Sequence, residues 1–384
     1  MVENPFVYGE VVPASAFVGR EAELDRLAGD LAAGQKVFLI SPRRFGKSSL
    51  IHHAFRTLAR RRILTLELTV SSFSSYLAFL EGYAQALARL EREAARTRSW
   101  LRDVFRGAQP ELGHDPAGPG GPGGLTVRFP GVRTAADVSR LAEDVFTLPQ
   151  RIAEGDGRRL AIALDEFQEV AAFDGGTVEQ ALRAAAQHQR QVGYVFAGSE
   201  PSLMERMLGP RRPFYKAGPV MRLGRIPAPI LAGFVEHRMR RSGLVPEPGL
   251  GEAVVDLAAN LPYDVQRLAH ETWDDVRAAA RRRVQLEDLH RTLRRLLAEH
   301  RLLFEGVWQR LTLPQRATLR AVVVEHGEAL LSADVRARYR LGGASSVQSS
   351  LAALRRTDLI DRDDDGRYLV VDSLFREWVA RTTY

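Results

Sequence analysis

The stretch SPRRFGKSSL (41–50) ends its loop on Gly46-Lys47-Ser48, three residue types that together handle phosphate. In the pattern G-x-x-x-x-G-K-[ST], backbone N–H groups wrap phosphate oxygens, the lysine offsets their charge and the hydroxyl ligates Mg2+. Ser41 stands where the first glycine belongs, so only the residue that eases the chain out of a strand differs. Apolar VFLI (37–40) precedes the loop and the helical pattern SSLIHHAFRTL follows it, which is the strand-loop-helix context the chemistry needs. Ser41, Pro42, Arg43, Arg44, Phe45, Gly46, Lys47, Ser48 and Ser49 are therefore the candidate nucleotide-binding loop. Lys47 is the candidate catalytic cation and Ser48 a metal ligand. The competing reading is an ordinary basic turn between a strand and a helix.

A second element must supply acid. LAIALDEFQEV (160–170) is an apolar run ending in Asp165 and Glu166. Adjacent carboxylates at the end of a buried strand are costly unless they face a metal or solvent. Asp165 is the candidate for holding Mg2+ and Glu166 for polarising an attacking water. The alternative is a helix cap after the strand. The next apolar run, YVFAGS (194–199), delivers Ser199 at its end.

The elements that must position these side chains follow from periodicity. FVGREAELDRLAGDLAAG (17–34) places Phe17, Leu24, Leu27 and Leu31 at helical spacing. Strands are expected at 37–40, 63–70, near 160–165 and at 194–199, with helices over 48–62, 75–98, 135–153 and 178–190. Strand and helix alternating in this way predict an α/β domain with a parallel sheet. Residues 107–135, rich in Gly and Pro, read as a flexible excursion ending in a short strand or hairpin near 125–129. From 227 to 303 the pattern is helical, with SGLVPEPGLG (242–251) as a turn. The domain boundaries expected are 1–226, 227–303 and 304–384.

In the last domain, SADVRARYRL (332–341) and GGASSVQSSLAALRRTDLI (342–360) read as a helix, a glycine turn and a second helix capped by serines. A polar turn, DRDDDGR (361–367), then separates two short apolar runs. That is the order of a winged helix-turn-helix. Its second helix would present Ser345, Ser346, Gln348, Ser349 and Arg355 or Arg356, types suited to phosphate and base edges. Arg362 and Arg367 add charge, whereas Asp361, Asp363, Asp364 and Asp365 oppose a polyanion. Double-stranded DNA and a protein partner both remain open here.

Composition excludes other chemistry. The chain has 384 residues and no cysteine, so disulfides, thiolate catalysis and Cys-based zinc sites are out. The nine histidines show no paired-ligand spacing. No apolar run approaches the ~20 residues that span a bilayer, and the N-terminus lacks a basic signal region, so a cytoplasmic protein without a membrane partner is expected. The net charge of +7 comes almost wholly from arginine, with lysine only at Lys36, Lys47 and Lys216. Against that background, a lysine between glycine and serine is less easily accidental.

Taken in order, NPFVYGEVVPASAFVGREAEL, SPRRFGKSSL, LDEFQEV, VFAGS and NLPYDVQRLAHETWD resemble the archaeal-type ATPases of the AAA+/STAND group. They are more distantly similar to the origin-recognition ATPases. The resemblance covers roughly residues 4–274, and the C-terminal winged helix continues it. It implies a P-loop NTPase core of AAA+ type with a helical lid, and ATP rather than GTP as the nucleotide. It also implies that Phe17, Val18, Gly19 and Arg20 lie near the adenine and that Ser199 occupies the sensor-1 position. Pro262 and Tyr263 would belong to a G-x-P-type lid motif, in which Asn260 here replaces the usual glycine. A plain helix start with proline at its first position is the alternative for NLPYDVQ. Arg206, Arg211 and Arg212 are candidates for an arginine finger acting in a nucleotide-dependent homo-oligomer, and none stands out.

The function expected is a Mg-dependent ATPase switch that couples ATP binding and hydrolysis to DNA or partner engagement. Two alternatives are a nucleotide-gated binding protein or scaffold with little turnover, favoured by Ser41 and Asn260, and a DNA-binding regulator with a vestigial ATPase fold.

Overall fold

The computed structural model describes residues 3–90, 110–115, 124–173, 176–363 and 366–382. The chain forms two compact units, one comprising Glu21–Ser41 and Lys47–Leu223, the other Met1–Arg20, Pro42–Gly46 and Gly224–Tyr384.

The first unit is the α/β body. Its strands are β1 (Lys36–Ile40), β2 (Leu64–Thr69), β3 (Glu111–Asp115), β4 (Gly124–Arg128), β5 (Leu160–Asp165), β6 (Val192–Gly198) and β7 (Val220–Arg222). Five of them form one parallel sheet in the order β2-β5-β6-β1-β7. Every residue of β5 and β6 is buried, as expected of central parallel strands covered on both faces. The helices are α1 (Glu21–Ala32), α2 (Lys47–Arg60), α3 (Tyr76–Leu90), α4 (Ala135–Asp156), α5 (Thr177–Ala186) and α6 (Pro201–Met207). The strand carrying the acids, β5, is separated by β6 from β1, which runs into the loop.

Aromatic rings fill the space beside the sheet. Phe38 stacks on Phe196 with centroids 5.1 Å apart, and Phe167 and Phe214 close on the same ring. All four are almost wholly buried, so truncating Phe196 to alanine would destabilise the unit by about 3–5 kcal/mol. Lys36 is structural: its ammonium donates to the carbonyls of Gly34 and Gln189 at 2.7 Å and of Val192 at 3.2 Å.

Several expectations change in detail. The first helix begins at Glu21, so Phe17 lies outside it; Arg20 donates to the Gly224 carbonyl and thereby ties 17–20 to the second unit. Strand β7 was not anticipated, because three residues are too short to show a period. The Gly/Pro-rich excursion contains the antiparallel hairpin β3-β4; residues 107–109 and its centre, 116–123, lie outside the described residues, as do 91–98 of the expected third helix.

The second unit carries α7 (Ala228–Arg241), β8 (Val245–Pro246), α8 (Leu250–Leu257), α9 (Pro262–Ala278), β9 (Arg283–Val284), α10 (Leu286–Glu299), α11 (Arg301–Arg310) and α12 (Leu313–Val324). It continues with α13 (Ala333–Tyr339), α14 (Ala344–Arg356), the antiparallel hairpin β10 (Ile360–Arg362) and β11 (Tyr368–Val370), and α15 (Ser373–Thr382). The turn expected at 242–251 contains β8, which pairs in parallel with β9. One hydrophobic cluster runs from Phe6 through the helices of 228–299 into α12, α14 and α15. Phe304, Phe375 and Trp378 pack together where these helices meet. The serine cap expected on the second winged-helix helix is not there. Gly343 occupies the cap of α14 and places Ser345 and Ser346 inside its first turn, while Ser332 caps α13 by accepting from Val335 N–H at 3.2 Å.

Candidate functional site

In the α/β unit, β1 ends at Ile40 and Ser41 extends its pairing, donating its N–H to the Gly198 carbonyl at 3.2 Å. Ser41 is fully buried and has no positive φ. The left-handed residues of the loop are Arg44 (φ 73°) and Gly46 (φ 89°), so this turn needs no glycine at 41.

Lys47 opens α2 with only 6% of its surface exposed, and its ammonium pairs with Asp165 Oδ1 and lies 3.4 Å from Glu166 Oε1. The Ser48 hydroxyl donates to Asp165 Oδ2 at 3.3 Å. Ser199, just past β6, donates to Glu166 Oε2 at 2.6 Å, and Gln168 Nε2 donates to the same oxygen at 2.7 Å. The structure thus brings Lys47, Ser48, Asp165, Glu166 and Ser199 into one cluster. Ser49, also buried, follows on the same helix.

The electrostatics of the cluster are specific. Burial by itself would push the Glu166 carboxyl up, but hydrogen bonds from Ser199 and Gln168 and the charge of Lys47 hold it below the ordinary glutamate value. Glu166 also adopts a left-handed backbone (φ 52°) at the end of β5. Sequence reasoning missed two neighbours. Gln168 follows two residues after Glu166, in DEFQEV, where nothing local marks it among the neighbouring polar residues. It is accommodated by Gly198, whose absent Cβ would come within 2.8 Å of the Gln168 amide oxygen. Glu67 is the lone acid of LTLELT on β2. Its side chain is exposed over much of its surface, yet crowding around the carboxyl and the charge of Asp165 raise it, with Lys47 opposing.

The oxygen donors Ser48 and Asp165 suit a hard cation. Among the described residues no group of three or more His, Asp or Glu side chains is arranged to hold a metal. A few protein oxygens are what Mg2+ uses when phosphates and waters complete its shell, so the residues present fit Mg2+.

The other expected nucleotide contacts lie in the second unit. Phe17, Val18 and Gly19 are half-buried, and buried Arg20 reaches the Phe45 carbonyl at 3.4 Å as well as that of Gly224. Pro42, Arg43, Arg44, Phe45 and Gly46 belong to this unit. Arg44 Nη1 lies 2.9 Å from Asp372 Oδ2 and 3.6 Å from Asp264 Oδ2, and the guanidinium sits 5.4 Å from the centre of the Tyr263 ring. Asp264 is 3% exposed; burial pushes its carboxyl up to about 6, Arg44 pulling it back and Asp372 adding to the rise. Pro262 occupies the first turn of α9. Asn260 adopts a left-handed conformation (φ 56°), and its amide donates to the Ile226 carbonyl at 2.9 Å. Asparagine is the non-glycine residue best suited to that backbone, which explains how it stands in for glycine.

On the winged helix, Ser345, Gln348, Ser349 and Arg356 are exposed on α14, whereas Ser346 and Arg355 are half-buried. Arg355 faces Asp361 at 3.7 Å. The hairpin arginines are engaged: Arg362 lies over the Tyr368 ring at 4.7 Å and Arg367 pairs with Glu328 at 3.1 Å. Asp363 accepts the Arg367 N–H at 2.8 Å, closing the turn, and Asp364 and Asp365 lie outside the described residues. Of the finger candidates, Arg212 is bound to fully buried Glu179 at 3.0 Å, while Arg206 and Arg211 are exposed.

Comparison with known proteins matches this architecture. A profile described as a probable winged helix domain matches residues 302–381. No curated protein matches the chain. A Walker-type ATPase of Pyrococcus abyssi is similar with a TM-score of 0.63 at 14% identity, over 96% of this chain and 99% of that one. The Aeropyrum pernix ORC2 protein in its ADP form gives 0.54 at 14% identity, over 99% and 97% of the two chains. The Aeropyrum pernix ORC1 protein in complex with DNA gives 0.52 at 16% identity, over 97% and 95%. Among the described residues no helix is long and apolar enough to cross a membrane. The chain therefore has the fold of the archaeal Walker-type ATPases and origin-recognition proteins, ending in a winged helix domain.

Proposed function

We propose that this protein is a Mg-dependent ATPase that works as a nucleotide-driven switch, engaging DNA or a protein partner through its winged helix. The observation that carries the reading is the convergence of Lys47, Ser48, Asp165, Glu166 and Ser199, drawn from α2, the end of β5 and the end of β6. Lys47 would carry the charge for β- and γ-phosphates, and Ser48 with Asp165 would hold the metal. Bound magnesium would supply positive charge to the phosphate oxygens. Glu166 remains ionised at neutral pH, as a base acting on water must. Ser199 orients that carboxylate. ATP and ADP are the expected ligands, supported by the fold shared with the Pyrococcus and Aeropyrum proteins. Phe17–Arg20, the 41–49 loop and Pro262 are the proposed nucleotide contacts.

For the output, the exposed stripe of Ser345, Gln348, Ser349 and Arg356 offers hydroxyl, amide and guanidinium groups to a duplex, and a structural relative was solved with DNA. Arg206 and Arg211 remain the candidates to act across a nucleotide-dependent homo-oligomer.

A second reading has its own support. Glu166 Oε2 accepts two hydrogen bonds and Oε1 faces Lys47, so both oxygens are engaged. A base held in this way favours a slow, nucleotide-gated binding protein. ATP turnover with and without duplex DNA, in the wild type and in Glu166→Gln, separates the two. A DNA-stimulated rate lost in the variant supports the ATPase switch. Nucleotide binding with negligible turnover, even with DNA present, supports the gated binder. A Lys47→Ala protein hydrolysing ATP at the wild-type rate would sink the first reading.

A further inference from the structure

The phosphate-binding loop carries a second charged contact that the proposed chemistry does not use. Arg44 stands in the middle of the loop with a left-handed backbone, which costs a side-chain-bearing residue about 1 kcal/mol. Such strain persists only where the surroundings impose it. Here they are identifiable: Asp372, immediately before α15 of the winged helix, and Asp264, in the first turn of α9, both hold the guanidinium, which also lies against the Tyr263 ring.

The backbone is anchored as well. The Tyr263 N–H donates to the Arg44 carbonyl at 3.4 Å, and Arg20 donates to the Phe45 carbonyl at 3.4 Å. In a planar trans peptide the carbonyl and the following N–H point in opposite directions. Tethering these two carbonyls therefore aims the N–H groups of Phe45 and Gly46 away from the anchors, as a loop that receives an anion requires. Two backbone tethers and a guanidinium gripped by two carboxylates fix the loop's shape.

We propose that Asp372 and Asp264 are positioning residues for nucleotide, acting through Arg44, so that the winged helix takes part in building the phosphate-binding loop. Because the loop is shaped by a contact from the winged helix, nucleotide occupancy and that contact are thermodynamically linked: each favours the other by the same factor. Asp372 is 33% exposed, pairs with Arg44 and caps α15 by accepting the Phe375 N–H at 2.9 Å, so asparagine, which can keep that cap, removes the charge with little effect on the helix.

This inference rests on the nucleotide reading of the 41–49 loop, and the experiment tells the two apart. A fluorescent ADP analogue is titrated into the full-length wild type, Asp372→Asn, Arg44→Gln, the double variant and Arg44→Gly. The expected result is a Kd weakened about fivefold or more in each single variant, at the lower end of typical coupling between sites. The double variant should be no weaker than Arg44→Gln, because both changes remove one contact. Arg44→Gly relieves the backbone strain but loses the tether, so it too should bind weakly. In the same proteins, hydrogen exchange over 372–378 should slow on adding ADP in the wild type and be unresponsive in Arg44→Gln. Unchanged affinity in Asp372→Asn beside a wild type that binds ADP would overturn the coupling alone. A wild type that binds no ADP would overturn the nucleotide reading itself.

Discussion

Two basic side chains three residues apart in one loop each face a pair of carboxylates, and the two clusters differ in almost everything else. Lys47 is buried among Asp165 and Glu166, neighbours at the end of a single strand. Arg44 is partly open and meets Asp264 and Asp372, which come from helix starts more than a hundred residues apart in sequence. The first arrangement concentrates charge at one strand end, as the proposed phosphate and metal chemistry requires. The second ties a backbone to a distant part of the chain. A lysine suits the first, being a compact point charge that can transfer to a phosphate; an arginine suits the second, where Nη1 meets both carboxylates and the planar guanidinium lies near the Tyr263 ring.

The largest expected effect breaks the first cluster. Lys47→Ala should lower ATP turnover by about a thousandfold, in the range seen when an electrostatic stabiliser is removed, and steady-state hydrolysis measures it. Glu166→Gln should lower turnover by about a hundredfold as expected for loss of a general base, while leaving the ADP Kd near the wild-type value. A Kd that moved as much as turnover would make Glu166 a binding residue instead.

Asp264→Asn sharpens the second cluster through pH. In the folded chain Asp264 titrates at about 6 rather than 3.8, so between those values the folded state binds more protons than the unfolded state. Stability from this group therefore falls as pH rises from about 4 to about 6 and is flat above. Arg44, Asp372, Arg267 and Ser373 are the groups that face it. Thermal melts at about pH 5 and pH 7 should show a smaller difference in Asp264→Asn than in the wild type; identical differences would contradict the buried carboxylate. The smallest effect is expected from Ser41→Gly. The left-handed turns fall at Arg44 and Gly46, so restoring the missing glycine should leave both nucleotide affinity and turnover unchanged.

The contrast also explains what was readable in the sequence. Lys47, Ser48, Asp165, Glu166 and Ser199 were legible because each sits at a strand end or helix start whose pattern locates it, and a parallel sheet gathers strand ends on one side. Ser41 looked like a defect because the pattern asks for glycine there, whereas the left-handed residues of this loop are Arg44 and Gly46. Asp264 and Asp372 gave no signal: each is an acid at the start of an ordinary amphipathic helix, and only folding shows that both reach one arginine. Gln168 and Glu67 were hidden for a related reason, since nothing local distinguishes a polar side chain that turns toward the cluster from one that faces water. The edge strand β7 and the β8-β9 pair were too short to carry a period. On α14, the serines read as a cap were displaced into the helix by Gly343, which the local composition could not decide.

The left-handed backbone at Glu166 has a consequence for how this protein would respond to selection. That conformation favours glycine or asparagine over glutamate by on the order of 1 kcal/mol. A library at position 166 screened only for heat resistance should enrich those two residues, and the same library screened for hydrolysis should return glutamate. The position is thus a local measure of the trade between durability and turnover.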